Sequence, residues 1–427
     1  MANSFDSNIT RKLARIFLEK FESARVHSKN VNTQLLTGRF SPSSGDTVDF
    51  KRPTDYTSTR TAAGDISGSS PSDIITGKAT GTVQNYFTAW VDFNEADEAI
   101  KMDQIDQLLA PLATRICTDL ELDFAEYMMQ NSSLLAGTVG TAATTWDHIA
   151  EAGAVLQATG VPNDRPWCYT VNPFTQRNLA SNQRSLGAGG VAGQLIDTAH
   201  KKATIAQGFA GFDSVMTATT LPNITTDSEA DRTGALNGNP DVTYATAKDS
   251  MTQDLVVDGF GASLEIRAGD KVQITGRFAL NQSTRQLILD DTGAKQVWQA
   301  TVKTAVTLDG SGTGTIVVTG PAIYEATGSY NTVDSAPINN DVVTILGAAS
   351  TTLQPNLFWH KDAFSIGSVP IKKLYSTDTL ATTKDGLQFR VSKYSVGDAN
   401  AQTIRFDLRP AYAVLNPFFG GHGWGSA

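Results

Sequence analysis

Met102 to Gln130 reads MDQIDQLLAPLATRICTDLELDFAEYMMQ. The pattern predicts one long helix, Asp103 to Gln130, with a soft break near Pro111. Beyond the proline, Leu112, Ala113, Ile116, Cys117, Leu120, Phe124, Tyr127 and Met128 recur at intervals of mostly three and four, one stripe on a 3.6-residue period. Arg115, Asp119, Asp123 and Glu126 fall largely off that stripe, toward water or a partner. Pro111 suits a first helical turn, where its missing N–H costs nothing. Asn131-Ser-Ser lowers helix propensity and is expected to loosen the end. By itself the pattern describes any buried helix, so the flanks have to carry the rest.

On the N-terminal side, residues 5–27 predict a short amphipathic helix with Ile9, Leu13, Ile16, Phe17, Phe21 and Ala24 as its apolar stripe. Arg11, Lys12 and Arg15 come early and Glu19 and Glu22 late, an order that opposes the helix dipole. Such a helix needs a partner, either its own chain or a neighbour. Residues 40–93 read as one long hairpin. Thr47–Lys51 is the first strand, and Val83 to Phe93 alternates as the return. Between them, 54–81 is rich in Thr, Ser and Gly and short of large apolar side chains. Such a long stretch is either an arm that orders against another subunit or a plain surface loop.

On the C-terminal side a second helix starts at Thr145 and stops at Gly160. A buried strand (Pro166–Asn172), a helix from Phe174, a glycine-rich loop (186–193) and a short helix (194–202) follow. This mixture is α+β. From about 222 to 353 the texture becomes strand after short strand, among them Val242–Ala245, Leu255–Val257, Val272–Thr275, Leu287–Leu289 and Thr315–Thr319. Ala268-Gly-Asp-Lys reads as a hairpin turn, and 227–241 as an exposed polar loop. We read this half as an inserted all-β barrel or sandwich. The first style returns at Asn356. Leu387–Tyr394 and Thr403–Leu408 then bracket a Gly397-Asp-Ala-Asn turn, and Ala411–Leu415 is the expected last strand.

Composition narrows the function. The 427 residues are 40% apolar and 18% charged with a net charge of -9, which suits several folded cores and not a nucleic-acid grip. Cys117 and Cys168 are expected to be free, buried thiols, as in a reducing cytosol. The N-terminus MANSFDSNITRKL has no basic-then-apolar signal, and no apolar run approaches the roughly 18 residues of a membrane span. Ser72 and Ala79 break a phosphate-loop reading around Gly77-Lys78. His27, His148, His200, His360 and His422 show no metal-ligand spacing, and Gly259-Phe-Gly261 lacks a dinucleotide loop's third glycine. Asp119, Glu121, Asp123 and Glu126 read as a solvated or interface face in preference to an acid–base site. No catalytic, cofactor or metal constellation is found.

The order of parts resembles the Hong-Kong-97-type shell fold of tailed-phage major capsid proteins. With the β insertion it is similar to the coat-protein family of short-tailed Salmonella phage P-22, nearest its Shigella-phage branch. The resemblance spans essentially the whole chain. Its local matches are Thr47-Val-Asp-Phe-Lys-Arg-Pro, Gly64-Asp-Ile-Ser-Gly, Ser72-Asp-Ile-Ile-Thr-Gly-Lys-Ala-Thr-Gly, Gln354-Pro-Asn-Leu-Phe and the run from Gly397 to Tyr412.

The resemblance implies a shell subunit, without catalysis or cofactor, that assembles as hexamers and pentamers with a scaffolding protein and a portal. It would form in the host cytoplasm, contact packaged double-stranded DNA loosely and touch no membrane. It also implies a division of the chain. Residues 1–30 would be the N-terminal arm and 31–133 the extended loop and peripheral domain with the spine helix. Residues 134–221 would be the axial domain, 222–353 the insertion, 354–380 the axial return and 381–427 the peripheral strands and C-terminus. Intersubunit contacts would then draw on Arg11, Lys12 and Arg15 of the arm and on Lys51, Arg52, Arg60, Asp65 and Lys78 of the loop. Arg115 and Asp119 of the helix and Asp227, Glu229, Asp231 and Arg232 of the insertion complete the set. The arm starts basic where P-22-like coats present an acidic one to scaffold. Two other readings are an encapsulin-type compartment shell, which would enclose enzymes, and a β-rich adhesin, which lacks its signal peptide and disulfides here.

Overall fold

The computed structural model describes residues 6–36, 45–52, 55–56, 58–94, 105–185, 199, 201–205, 208–326, 328–376, 378–396 and 401–426. The chain divides into two compact units. The first is Met1–Asp49, Thr80–Ala125 and Phe364–Val414; the second is Phe50–Ala79, Glu126–Ala363 and Leu415–Ala427.

In the first unit the N-terminal helix, Asp6–Ala24, buries Leu13, Ala14, Phe17 and Phe21. Phe17 stacks on Phe406 at 4.7 Å and meets Phe389 edge-on at 5.0 Å. The partner that its unfavourable charge order demands is therefore its own chain. Phe389 and Phe406 belong to a sheet ordered Thr379–Thr382, Gln388–Val396, Ala401–Leu408 and Phe87–Asn94. Gln388–Val396 and Ala401–Leu408 pair antiparallel as the alternation predicts, while the turn between them lies outside the described residues.

The long hairpin is corrected. Phe87–Asn94 does not return onto Thr47–Lys51 but pairs antiparallel with Ala401–Leu408. Lys78–Val83 is the neighbour of Thr47–Lys51, in a sheet completed by Pro410–Val414 and Phe364–Ser368. Alternation identifies the face a strand buries and says nothing of its partner.

The helix is continuous over Ile105–Gln130 and runs through Pro111; Asp103 lies outside the described residues. In this unit it buries Ala113, Ile116, Cys117, Leu120 and Phe124 of the expected stripe, leaves Leu112 half-buried, and adds Ala125, which the stripe did not include. The Phe124 ring lies 5.0 Å from that of Tyr412.

In the second unit, Trp146–Thr159 is the expected helix, closed by Gly160 at φ 91°, a left-handed position glycine adopts without strain. Ile149, Ala152 and Leu156 pack with Tyr169, Phe212 and Phe358. They cover a mixed sheet ordered Leu134–Leu135, Gly420–Ser426, Thr352–His360, Trp167–Val171 and Ser214–Thr217. The helix expected over 194–202 falls largely outside the described residues.

Ala411–Leu415 is not the last strand. Gly420–Ser426, sequence GGHGWGS, enters this sheet beside Thr352–His360. Its glycines hide it from propensity but explain its place, since a Cβ on Gly423 would lie 2.1 Å from the Tyr169 hydroxyl.

The insertion is a closed barrel. Lys271–Phe278, Val297–Val302, Gly314–Thr319, Thr252–Asp258, Thr233–Leu236 and Val342–Ile345 follow one another around it, and the last closes on the first. Gln253, Leu255 and Val257 alternate inward, and Trp298, Val272, Ile274, Ile316 and Val343 help fill the interior. Three expectations change here. Val242–Ala245 is not a strand; Tyr244–Ala247 is a helical turn whose Thr243 and Thr246 cap each other. Leu287–Leu289 makes only isolated bridges. Glu265-Ile266 pairs with Val306-Thr307, so Ala268-Gly-Asp-Lys joins strands with different partners.

Candidate functional site

The long helix carries the most unusual chemistry in the chain. Glu121, read as part of a solvated face, is 1% exposed. Its Oε2 accepts the backbone N–H groups of Val26 at 3.1 Å and His27 at 2.6 Å. Oε1 accepts the N–H of Ser28 at 3.2 Å and, at very short range, the Ser28 hydroxyl. His27 Nδ1 lies 3.2 Å from Oε2. Burial pushes the Glu121 carboxyl up, but the His27 and Ser28 hydrogen bonds and the His27 charge outweigh it, and the net direction is down. A carboxylate has thus been carried inside to satisfy the turn that follows the N-terminal helix. Arg25 completes the clasp. It donates to the Ser28 hydroxyl at 2.7 Å, to the Ser28 carbonyl at 2.8 Å and to Asp385 at 2.8 Å.

Spacing could have revealed Glu121: it stands four residues from Cys117 and four from Ala125, both buried on the stripe. Asp123 is committed as well, accepting the Tyr412 hydroxyl at 2.8 Å. Glu121 and Asp123 of this face therefore make structural hydrogen bonds.

The helix end, in the second unit, is not loose. Asn131 Nδ2 donates to Tyr127 O at 2.8 Å and Ser132 Oγ to Met129 O at 3.3 Å. His422 Nε2 sits 2.8 Å from Met129 O. Lys271 Nζ reaches the carbonyls of Ser132, Ser133 and Leu134 at 3.3, 3.2 and 2.8 Å, and the Thr301 hydroxyl at 2.6 Å. Burial pushes Lys271 and His422 far below their ordinary values, and the nearby lysine lowers His422 further. A cation-capable group set against carbonyls at a helix C-terminus complements the dipole there.

The proposed contact residues separate into two groups. Arg11, Lys12, Arg15, Lys51, Arg60, Asp65, Lys78 and Arg115 are exposed. Arg115 pairs with half-buried Asp119 at 3.0 Å along the helix. The 227–241 segment is not one exposed loop, because Thr233–Leu236 is a barrel strand. Asp227 accepts the Glu265 N–H at 2.7 Å and Glu229 that of Asp231 at 3.1 Å, so both organise the segment. Asp231 stays exposed. Arg232 is buried and 3.4 Å from Asp270, and Arg52 is buried too, so within the single chain neither of these contact candidates presents an exposed charge.

Cys117 and Cys168 are buried thiols outside any disulfide, and burial raises each to about 12. Among the described residues no helix is long and apolar enough to cross a membrane.

The P22 coat protein family, gene protein 5, matches residues 1–425. A major capsid protein of Acyrthosiphon pisum secondary endosymbiont phage 1 is 35% identical over 431 residues, covering 100% of both chains. Similar solved structures include Mycobacterium phage Che8, with TM-score 0.46 and 11% identity over 93% of this chain and 90% of that one. The capsid of Ralstonia phage GP4 aligns with TM-score 0.45 and 10% identity over 95% and 91%. The family match over residues 1–425, with 35% identity along the whole of a phage major capsid protein, places this chain in the P22 coat protein family, as a phage major capsid protein.

Proposed function

We infer that this coat protein closes an icosahedral shell around a double-stranded DNA genome, in the host cytoplasm, with a scaffolding protein and a portal. The observation that carries the reading is the 58–76 arm. It has no strand of its own, and it presents Ile66 and Ile74 at 64% and 74% exposure. Large apolar side chains on so polar a segment suit an arm that finishes packing on a neighbouring subunit. On this reading residues 1–30 are the N-terminal arm, 31–133 the extended loop and peripheral domain with the spine helix, and 222–353 the insertion. Residues 134–221 and 354–380 form the axial domain, and 381–427 the peripheral strands and C-terminus. The exposed contact candidates then lie at subunit boundaries. A net charge of -9 suits a wall along which packaged DNA slides without sticking.

The test is negative-stain electron microscopy of the full chain and of a 54–81 deletion, each with and without the scaffolding protein. We expect closed particles from the full chain and soluble, unassembled protein from the deletion. Normal particles from the deletion would remove the arm from the assembly reading.

A further inference from the structure

A cleft of about 410 Å³ in the second unit brings two arginines, Arg52 and Arg285, and two aspartates, Asp55 and Asp362, to its lining. Tyr244 and Tyr330 line it as well. Arg52 is 8% exposed, and among the described residues its Nε and Nη1 have no hydrogen-bond partner. Arg285 donates Nη2 to Asp55 at 2.6 Å and Nη1 to Asn331 O at 2.9 Å, while its Nε is likewise buried without a partner.

The carboxylates nearby are already committed. Asp249, whose charge Arg52 feels, accepts the Lys78 N–H at 3.1 Å and the Lys248 ammonium at 3.3 Å. Asp362 pairs with Arg165 at 3.0 Å. Burial alone pulls the Arg52 guanidinium down to about 10 and outweighs the help of Tyr244 and Asp249. The stacked Tyr244 and Tyr330 rings, 3.6 Å apart, form a wall, and the Tyr330 hydroxyl is tied to the Asp55 backbone at 2.8 Å.

A buried guanidinium with unused N–H groups is costly unless something outside the chain completes it. Its planar fork suits an oxyanion. We propose that this cleft is an oxyanion site, taking a carboxylate or phosphate group onto Arg52 and Arg285, and that in a closed shell an acidic side chain of a second copy supplies it. The oxyanion site stands on this cleft alone; its occupant in the shell rests on the assembly reading above.

The unassembled chain is melted in sodium phosphate, sodium acetate and sodium chloride at matched ionic strength, beside Arg52→Met. The oxyanions should raise the wild-type Tm by about 2 °C or more over chloride, saturably, and should leave Arg52→Met unmoved. In chloride, Arg52→Met should melt at or above wild type, because it removes an unpaired buried charge. An equal rise in chloride, the same rise in the variant, or failure of Arg52→Met to fold in chloride would overturn the site. Assembled particles separate the two sources. Wild-type shells that no longer respond to phosphate, with Arg52→Met shells disrupted at lower urea, assign the group to a second copy. Shells that still gain stability from phosphate assign it to a free anion and overturn the second-copy half. Absence of particles from wild type would count against the assembly reading and leave the melting result to decide the site.

Discussion

The long helix has two buried ionisable anchors, one in each unit, and they are satisfied in opposite ways. At Glu121 a carboxylate gathers the N–H groups of residues 26–28, and its proton affinity is lowered despite burial. At Lys271 an amine is set against three carbonyls and a hydroxyl, with no carboxylate among its hydrogen-bond partners in the described residues, and burial dominates its titration. The first anchor is a charge made comfortable by donors; the second is driven toward neutrality. The difference teaches that burial does not fix the effect of an ionisable group, because the matching dipoles decide it. Removing the two side chains should therefore have unequal consequences.

The largest effect is expected for Glu121→Ala. It strands three backbone N–H groups in a closed interior and should cost about 3–5 kcal/mol. Urea unfolding at pH 7 measures it, with faster hydrogen exchange at residues 26–28 as the local sign. A loss under about 1 kcal/mol would mean that water replaces the carboxylate, and the contrast with Lys271 would collapse. Lys271→Met should cost less, about 1–3 kcal/mol, since carbonyls tolerate a missing donor better than buried N–H groups tolerate a missing acceptor. A larger loss than that of Glu121→Ala would invert the comparison.

Neither anchor announces itself in the sequence, and the reasons differ. The helix stripe was legible because 3.6-residue periodicity is local, and the barrel strands because alternation is local. Glu121 sits on the stripe at the spacing of Cys117 and Ala125, but charge alone places a glutamate outside. Its partners lie more than 90 residues away, so local spacing can mark the position as buried but not what satisfies it. Lys271 opens an ordinary strand, and its carbonyl partners lie more than 130 residues earlier. The same limit produced the wrong hairpin, since Phe87–Asn94 chose a strand over 300 residues on. Gly420–Ser426 was missed for another reason: its glycines are required by neighbours the sequence does not show. Arg232 and Arg52 look like surface cations until their surroundings are seen.

The pH response sharpens the comparison with a smaller effect. Glu121 titrates below its unfolded value of about 4.3, so its contribution is full above that pH and is lost as pH falls through the folded value. Lys271 and His422 also titrate below their unfolded values, about 10.4 and 6.5. For these two the unfolded chain takes the proton first, so stability is lost as pH falls from the unfolded value toward the folded one. Between about pH 6.5 and 5 the second unit should weaken through His422, aided by His360, which burial shifts the same way, while the Glu121 anchor holds. Hydrogen exchange corrected for intrinsic rates should show strand 420–426 opening in that window and residues 26–28 only below about pH 4.5. His422→Gln should shrink the first change; simultaneous opening of both regions would break the distinction.

The smallest effect tests whether a helix charge outside both anchors belongs to the fold or to assembly. Arg115 and Asp119 form an exposed pair one turn apart, with the Arg115 side chain 73% exposed. Such pairs contribute little in water, so Asp119→Ala should change the unfolding free energy of the unassembled chain, measured in urea, by no more than about 0.5 kcal/mol. If this face meets a neighbouring subunit, the same substitution should slow or misdirect shell closure, scored as the fraction of closed particles at fixed protein concentration. Full stability with impaired closure separates a contact residue from a folding residue, which is the distinction Glu121 fails by design. A normal particle yield would remove Arg115 and Asp119 from the contact set, and a drop in chain stability as large as that of Glu121→Ala would move them into the fold.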